Sequence, residues 1–203
     1  MAATTVRAAL AATLLMAGNL SAQDLESEEA RQRFEVEFRG ELARPLGELQ
    51  DLVSDELGVG LGVAARYWPL PYAALYGGWD WFRFDEVVGQ EEVRVTDPGF
   101  RGGVHLQAEL GTSGVEPFLY AGVTSGRGKV VRRTAASTER IGYRRSWGQE
   151  VGGGIVLPVR SWLSVVPEGR YRTREARSSV ATSSVPELDI EYIGFNLGIL
   201  LKL

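Results

Sequence analysis

Few residues in the sequence have types and spacing suited to chemistry, and the strongest candidate is the single histidine, His105. Histidine is the usual general base near neutral pH, but it needs a reacting group within hydrogen-bond reach. Leu106 and Gln107 follow it, so a His-x-Ser arrangement is missing. Gln107 and Glu109 share its face of a strand. This pattern favours a hydrogen-bonded structural histidine.

Other motifs that could bind a cofactor are incomplete. The run Gly126–Lys129 is similar to part of a phosphate-binding loop, but Val130 stands where Ser or Thr would hold magnesium. Gly58, Gly60 and Gly62 are not a dinucleotide fingerprint, because no helical pattern follows them. The chain has no cysteine, and its carboxylates are scattered over different segments, so no metal cluster is predicted. We expect a protein with no catalytic site, no cofactor and no metal.

The N-terminus has the three-part pattern of a secretory signal. Arg7 is the only charge among residues 1–22, an apolar stretch runs from Ala8 to Ala17, and small residues follow as far as Ala22. The apolar stretch has about half the roughly 20 residues needed to span a membrane. We therefore expect cleavage after Ala22. This assigns 1–22 to a signal peptide, 23–32 to a short polar periplasmic leader and 33–203 to the folded domain.

Composition excludes two further classes of protein. No uncharged apolar run of about 18 residues follows the signal, which excludes a helical membrane protein. The formal net charge is −4, and this mildly acidic balance argues against nucleic acid as a partner.

From residue 34 onward, apolar and polar residues alternate with the period of two that β-strands require. In the first segment Phe34, Val36 and Phe38 share one face, while Glu35 and Glu37 share the other. Eight such segments are predicted, over 34–42, 57–67, 73–82, 103–110, 119–124, 147–157, 163–172 and 192–203.

The connections between these segments alternate in length. Residues 43–56, 85–99, 131–146 and 173–189 form long connections, whereas 68–71, 111–115 and 158–161 are short. This sorting is typical of an outer-membrane barrel with short periplasmic turns and long extracellular loops. The predicted fold is all-β, an eight-stranded antiparallel up-and-down transmembrane β-barrel.

Glycines indicate which face of the strands points inward. A soluble barrel of the lipocalin kind is the alternative, and it would carry its apolar face inside. Eight glycines instead lie on the polar face, where a solvated strand would favour other residues and a narrow lumen needs small ones: Gly58, Gly60, Gly62, Gly148, Gly152, Gly154, Gly194 and Gly198. The polar face is therefore predicted to line the lumen.

Charges of both signs on that face can pair inside the barrel, as buried charges must. The predicted structural network comprises Glu35, Glu37, Arg39, Glu41, Arg66, Asp80, His105, Glu109, Glu150, Glu168, Arg170 and Lys202. Aromatic girdles are expected at both rims, with Trp79, Trp81, Trp147 and Tyr171 near the outer rim and Phe34, Tyr67, Tyr72 and Trp162 near the inner rim.

Three segments carry a resemblance to a known family. Gly58–Asp85, Ser161–Arg172 and the alternating C-terminus resemble the small outer-membrane β-barrel domains that include the OmpA transmembrane domain and its stand-alone relatives. The resemblance implies a Gram-negative-type outer membrane, contact with its lipids, and assembly by periplasmic chaperones and the outer-membrane insertion machinery. The final strand looks like the family's insertion signal, although Leu203 stands where an aromatic residue is typical.

Two further expectations follow from this resemblance. The chain ends at the eighth strand, so we expect no peptidoglycan-binding domain. We also expect a monomer. Some outer-membrane barrels are lipid A deacylases or palmitoyltransferases, and these call for a histidine with a nearby serine. His105 lacks that partner, so we expect no enzyme.

Loop charges provide one candidate binding surface. The third long loop is basic, and the fourth adds Arg174. The first and second loops are acidic and include Asp97. The basic loops are therefore predicted to form one patch that is separate from the acidic loops. The patch is either solvated loop charge or a contact for lipopolysaccharide phosphates, which suit Arg forks. The contact residues would be Arg132, Arg133, Arg140, Arg144 and Arg145.

Two function classes follow. The first is a structural or surface-interaction barrel with a packed lumen. The second is a small channel or transporter for small solutes or hydrophobic compounds. Large lumen residues, namely Tyr76, Phe82, Tyr120 and Tyr192, favour the packed barrel.

Overall fold

The computed structural model describes residues 33–53, 56–110, 114–176 and 188–203. The predicted signal peptide and leader lie outside these ranges. The described residues contain ten strands and one short helix: β1 Phe34–Leu46, α1 Gly47–Val53, β2 Gly58–Leu70, β3 Ala73–Val88, β4 Glu91–Gln107, β5 Glu116–Gly126, β6 Lys129–Arg133, β7 Thr138–Gly142, β8 Ser146–Arg160, β9 Leu163–Ala176 and β10 Leu188–Lys202. Among them, no helix has the length and apolar character to span a membrane.

Eight of the described strands close into a ring in which every neighbour is antiparallel. The order runs from β1 to β5 and on to β8, β9 and β10, and β10 pairs with β1 from Lys202–Glu35 to Glu191–Leu46. Closure satisfies the backbone groups of each wall strand within the ring. The predicted fold class is confirmed. We call the end that carries Phe34 and Lys202 the turn end, and the opposite end the loop end.

Alternation along each strand separates the two faces of the wall. In β1, Phe34, Phe38 and Leu42 are exposed on the outside, whereas Glu35 and Glu37 are buried inside. The same pattern continues along β10. Because side chains alternate across a strand, an apolar exterior requires a polar interior here. The polar face therefore lines the lumen, as the glycines indicate.

The loop end is more regular than the sequence predicted. Residues 85–99 are not a long loop: β3 and β4 continue through them as a hairpin that turns at Gly89, whose φ of 61° suits glycine. The connection over 131–146 includes the end of β6 and all of β7, and 43–56 includes α1. The prediction that these residues form loops was wrong. The alternating patterns of the strands in them are short and interrupted by charged residues.

Strand four also has different bounds from those predicted. It was placed at 103–110, but β4 ends at Gln107. Glu109 consequently lies beyond the strand and is exposed, so its assignment to the lumen was wrong. At the same end, Phe34, Tyr67, Tyr72 and Trp162 are exposed on the outside of the wall. This is the position expected for the inner girdle.

Candidate functional site

The middle of the lumen is filled by a network of ion pairs centred on Asp80. Its carboxylate accepts hydrogen bonds from Arg39 at 3.3 Å, Arg170 at 3.2 Å and Arg172 at 2.6 Å. The Arg101 guanidinium lies 3.7 Å away. All five side chains are almost fully buried. One carboxylate therefore compensates four buried cations, as buried charges require.

Two glutamates extend this network toward the turn end. Glu150 accepts hydrogen bonds from Arg172 at 2.9 Å and from the Tyr76 hydroxyl at 2.8 Å. Glu168 accepts from Arg39 at 3.2 Å and from the Tyr120 hydroxyl at 2.6 Å. These contacts join residues from β1, β3, β5, β8 and β9. The lumen side chains thereby cross-link wall strands, most of which are not neighbours in the ring.

Glycines on neighbouring strands make room for the large lumen residues. Gly60 pairs with Phe82 across β2 and β3, and a Cβ on Gly60 would lie 2.5 Å from the Phe82 ring. Gly152 pairs with Tyr120 across β8 and β5, and a Cβ on Gly152 would lie 2.5 Å from the Tyr120 ring. These distances are far below van der Waals contact. Only glycine therefore lets the rings reach into so narrow a barrel.

Aromatic and apolar residues fill the lumen toward the turn end. The cluster comprises Tyr76, Phe118, Tyr120, Val156, Val166 and Leu200. His105 stacks on Phe118 at a centroid distance of 4.7 Å, and its Nε2 lies 3.1 Å from Gln107 Oε1. Trp68 packs edge-on against the same imidazole. His105 is thus a buried packing residue with a polar partner, in the position the sequence suggests.

The turn end itself is lined by a second group of ion pairs. Arg66 lies 3.6 Å from Glu35 and also pairs with Glu37. Lys202, which is half-buried, lies 3.7 Å from Glu116. Glu116 also accepts a hydrogen bond from Gln107. Among the predicted lumen residues, then, the structure buries all except Glu109 and Lys202.

At the loop end lies a buried apolar cluster, which we call the plug. It is built from Ala43, Leu49, Val53, Phe82, Phe84, Val93, Val95, Val130, Tyr143, Ala176, Leu188, Ile190 and Tyr192. Leu49 and Val53 of α1 are fully buried. Glu48 of the same helix accepts a hydrogen bond from the Asp189 backbone amide at 2.9 Å, which ties α1 to the start of β10.

Some functional residues were missed from the sequence. Arg101 lies two residues before the predicted start of strand four, yet it shares the inward parity of Gly103 and His105. Extending that alternation would have found it. Asp97 and Arg174 were assigned to exposed loops, and this was wrong: they form a buried ion pair. Both belong to strands that run further than predicted.

The predicted basic patch is divided by the structure. Because β6 pairs with β4, Arg132 lies 2.8 Å from Glu91 and Arg133 lies 3.3 Å from Glu92. The predicted separation of the basic third loop from the acidic second loop was therefore wrong. Arg140, Arg144 and Arg145 are exposed. A shallow surface depression is lined by Arg144, Arg145, Ser146, Trp147 and Glu175.

Comparison with known proteins supports the fold. No family model and no curated protein matches the chain. Neisserial surface protein A matches with 16% identity and a TM-score of 0.60, covering 86% of this chain and 100% of that one. A major outer membrane protein from Thermus thermophilus matches with 13% identity and a TM-score of 0.53, covering 83% of this chain and 98% of that one. Ail, the attachment invasion locus protein of Yersinia pestis, matches with 12% identity and a TM-score of 0.51, covering 83% of this chain and 97% of that one. The chain therefore has the fold of the small outer-membrane β-barrel proteins.

Proposed function

We propose that the protein is a sealed outer-membrane barrel that acts through what its outer rim contacts and not through transport. The observation that carries this proposal is the filling of the lumen along its length. The plug lies at the loop end, the Asp80 network occupies the middle, and the aromatic cluster follows toward the turn end. Each layer joins strands from different sides of the wall.

A channel or transporter is the competing function, and the lumen disfavours it. A conducting pore needs a continuous column of water, in which charged groups stay solvated. Here the carboxylates of Asp80, Glu150 and Glu168 are bound by arginines or tyrosines from other strands. Opening the lumen would require breaking several of these contacts together, each of them charge-assisted.

The membrane location is part of the proposal. An apolar exterior over a polar interior is stable in lipid and unstable in water. Delivery would use the signal peptide over 1–22, followed by the leader over 23–32. N-terminal sequencing of protein isolated from outer membranes should begin at Gln23. A mature chain that retains Met1 would contradict cleavage.

Planar bilayers test the sealed lumen directly. The refolded protein should give no discrete conductance steps under conditions in which a reconstituted porin conducts. Heat-modifiable gel migration, which reports a closed barrel, should accompany each sample as the folding control. Reproducible conductance steps from heat-modifiable protein would overturn the proposal and favour the channel.

Contact with outer-membrane lipid, including lipopolysaccharide, is the proposed role of the outer rim. Exposed arginines at the loop end support it, because guanidinium groups bind phosphate with paired hydrogen bonds. Titration of the protein in neutral detergent with lipopolysaccharide should give saturable binding that weakens as salt increases. Failure to saturate would leave the sealed barrel without this ligand.

A further inference from the structure

We propose that the depression lined by Arg144, Arg145, Ser146, Trp147 and Glu175 binds the phosphorylated sugar headgroup of a lipid A-type glycolipid in the surrounding leaflet. The proposal rests on the proposed lipid contact and names its site. We refer to these five residues as the rim site.

The rim site faces outward, toward lipid. Gly148 of β8 pairs with Arg174 of β9, and the Arg174 side chain points into the lumen, where it binds Asp97. Since side chains alternate across a strand, the adjacent residues Trp147 and Glu175 point to the exterior. Trp147 is 71% exposed. A ligand here approaches from the membrane side and not from the lumen.

The rim site also lies where the exterior changes from apolar to polar. Below it, Val151 pairs with Tyr171 across β8 and β9. The next outward pair toward the loop end is Gln149 with Thr173, and Trp147 follows. Tryptophan favours the level of lipid headgroups, where its ring is half in hydrocarbon and its N–H is hydrated. The position therefore matches a headgroup and not an acyl chain.

The side chains at the rim site suit a sugar phosphate. Arg144 and Arg145 are exposed, and neither forms an ion pair with another described residue. Their guanidinium groups can donate paired hydrogen bonds to phosphate oxygens. The indole of Trp147 offers a flat apolar face for a sugar ring. Two exposed arginines beside an exposed indole therefore favour a phosphorylated sugar.

The base of the rim site is held by the lumen. Arg174 Nη1 donates to Ser146 Oγ at 3.0 Å and to the Gly126 carbonyl at 2.7 Å, and its other terminal nitrogen pairs with Asp97. These contacts fix the start of β8, which carries Trp147 and directly follows Arg145. A preorganised base lowers the entropy lost when a ligand binds.

The structure also provides a matched control. Arg132 and Arg133 are exposed arginines at the same end of the barrel, but each already has a glutamate partner. Replacing them removes the same formal charge as replacing Arg144 and Arg145. A ligand drawn only by overall charge would not distinguish the two pairs, whereas a ligand held at the rim site would.

The experiment measures binding of bisphosphorylated lipid A to the full chain refolded in neutral detergent. We expect the dissociation constant to rise about ten-fold or more in Arg144→Gln/Arg145→Gln, because charge-assisted hydrogen bonds are lost. In Arg132→Gln/Arg133→Gln it should stay within about two-fold of the wild type. Trp147→Ala should weaken binding, and lipid A without its phosphates should bind the wild type weakly. Heat-modifiable migration confirms folding in each variant.

Other outcomes separate the two proposals. An equal loss in both double variants would overturn the rim site but leave lipid contact intact. No binding of lipid A to the wild type would overturn both the lipid contact and the rim site. Competition by inorganic phosphate at the concentration at which lipid A saturates would show a soluble anion site, and would overturn the choice of a lipid headgroup.

Discussion

The centre of the lumen and the plug both lie inside the barrel, yet they are built on opposite principles. The centre consists of charges from wall strands, with Asp80 bound by Arg39, Arg170 and Arg172. The plug consists of apolar side chains, several of which come from α1 and from strands that extend beyond the wall. Specific ion pairs stabilise the centre of the lumen, whereas burial of apolar surface stabilises the plug.

This difference predicts how each region responds to change. Removing one member of a buried ion-pair network leaves its partners charged with fewer counter-charges, so the cost falls on the whole fold. An apolar cluster loses contacts in proportion to the atoms removed, and elements outside the closed wall can open locally. The centre should therefore govern global stability, and the plug should govern local opening at the loop end.

The largest expected effect is that of Asp80→Asn. This change leaves the guanidinium groups of Arg39, Arg170 and Arg172 without their shared counter-charge, and it should lower the free energy of unfolding by about 3–5 kcal/mol. Urea titration in lipid vesicles, followed by tryptophan fluorescence, measures the loss. Asp85→Asn is the control, since Asp85 pairs with Arg83 and Arg94 on the partly exposed hairpin, where a salt bridge contributes about 1 kcal/mol or less. Equal losses in the two variants would contradict the contrast.

Leu49→Ala should have a smaller effect that is confined to the loop end. Leu49 is fully buried in the plug, and its truncation should cost on the order of 2–4 kcal/mol of local stability. Hydrogen exchange should accelerate over α1 while amides in the wall strands keep their protection. Faster exchange throughout β1 and β10 would show that the plug and wall unfold as one unit.

Gly60→Ala tests the junction between the two regions. The new Cβ would lie 2.5 Å from the Phe82 ring, which packs in the plug and also lies 5.0 Å from the Arg170 guanidinium carbon. Overpacking should cost about 1–3 kcal/mol. Gly40→Ala is the matched control, because a Cβ there meets no other atom within 4 Å. Urea titration of both variants checks the difference, and a harmless Gly60→Ala would mean that Phe82 has room to move.

The smallest expected effect is a pH dependence in the outer hairpin. Partial burial would raise the pKa of Asp85, but hydrogen bonds from Arg94 and Arg83 outweigh it and hold the pKa below its usual range. Because the folded pKa is the lower one, the stabilisation is present above the unfolded value of about 3.9 and is lost as the pH falls through the folded pKa.

This contribution is below about 1 kcal/mol, since solvent screens the partly exposed pair. An NMR titration of the Asp85 carboxyl should show the lowered pKa, and Arg94→Gln should raise it. An unchanged titration in Arg94→Gln would show that Arg94 does not stabilise the carboxylate.

Much of the fold followed from the sequence, and its failures have a common cause. Alternation in the wall strands identified Glu37, Arg39 and Asp80 as inward residues. It failed for Arg101, Asp97 and Arg174, because the strands run beyond the segments with a clear pattern. The pairing of β6 with β4 was also missed. β6 pairs with the part of β4 that extends beyond the closed wall, and the pairing partner of a strand cannot be identified from its local sequence pattern.

The sequence by itself determines which residues face the lumen, because alternation across a strand is a local property of the backbone. Only the tertiary structure decides which inward charges meet. Arg39 and Glu168 are 129 residues apart along the chain, and they pair because closure of the ring places β9 two strands from β1, with only β10 between them. Likewise, the basic type of Arg132 and Arg144 is visible in the sequence. Arg132 has Glu91 as a partner because β6 pairs with β4, and this pairing cannot be identified from the local sequence pattern.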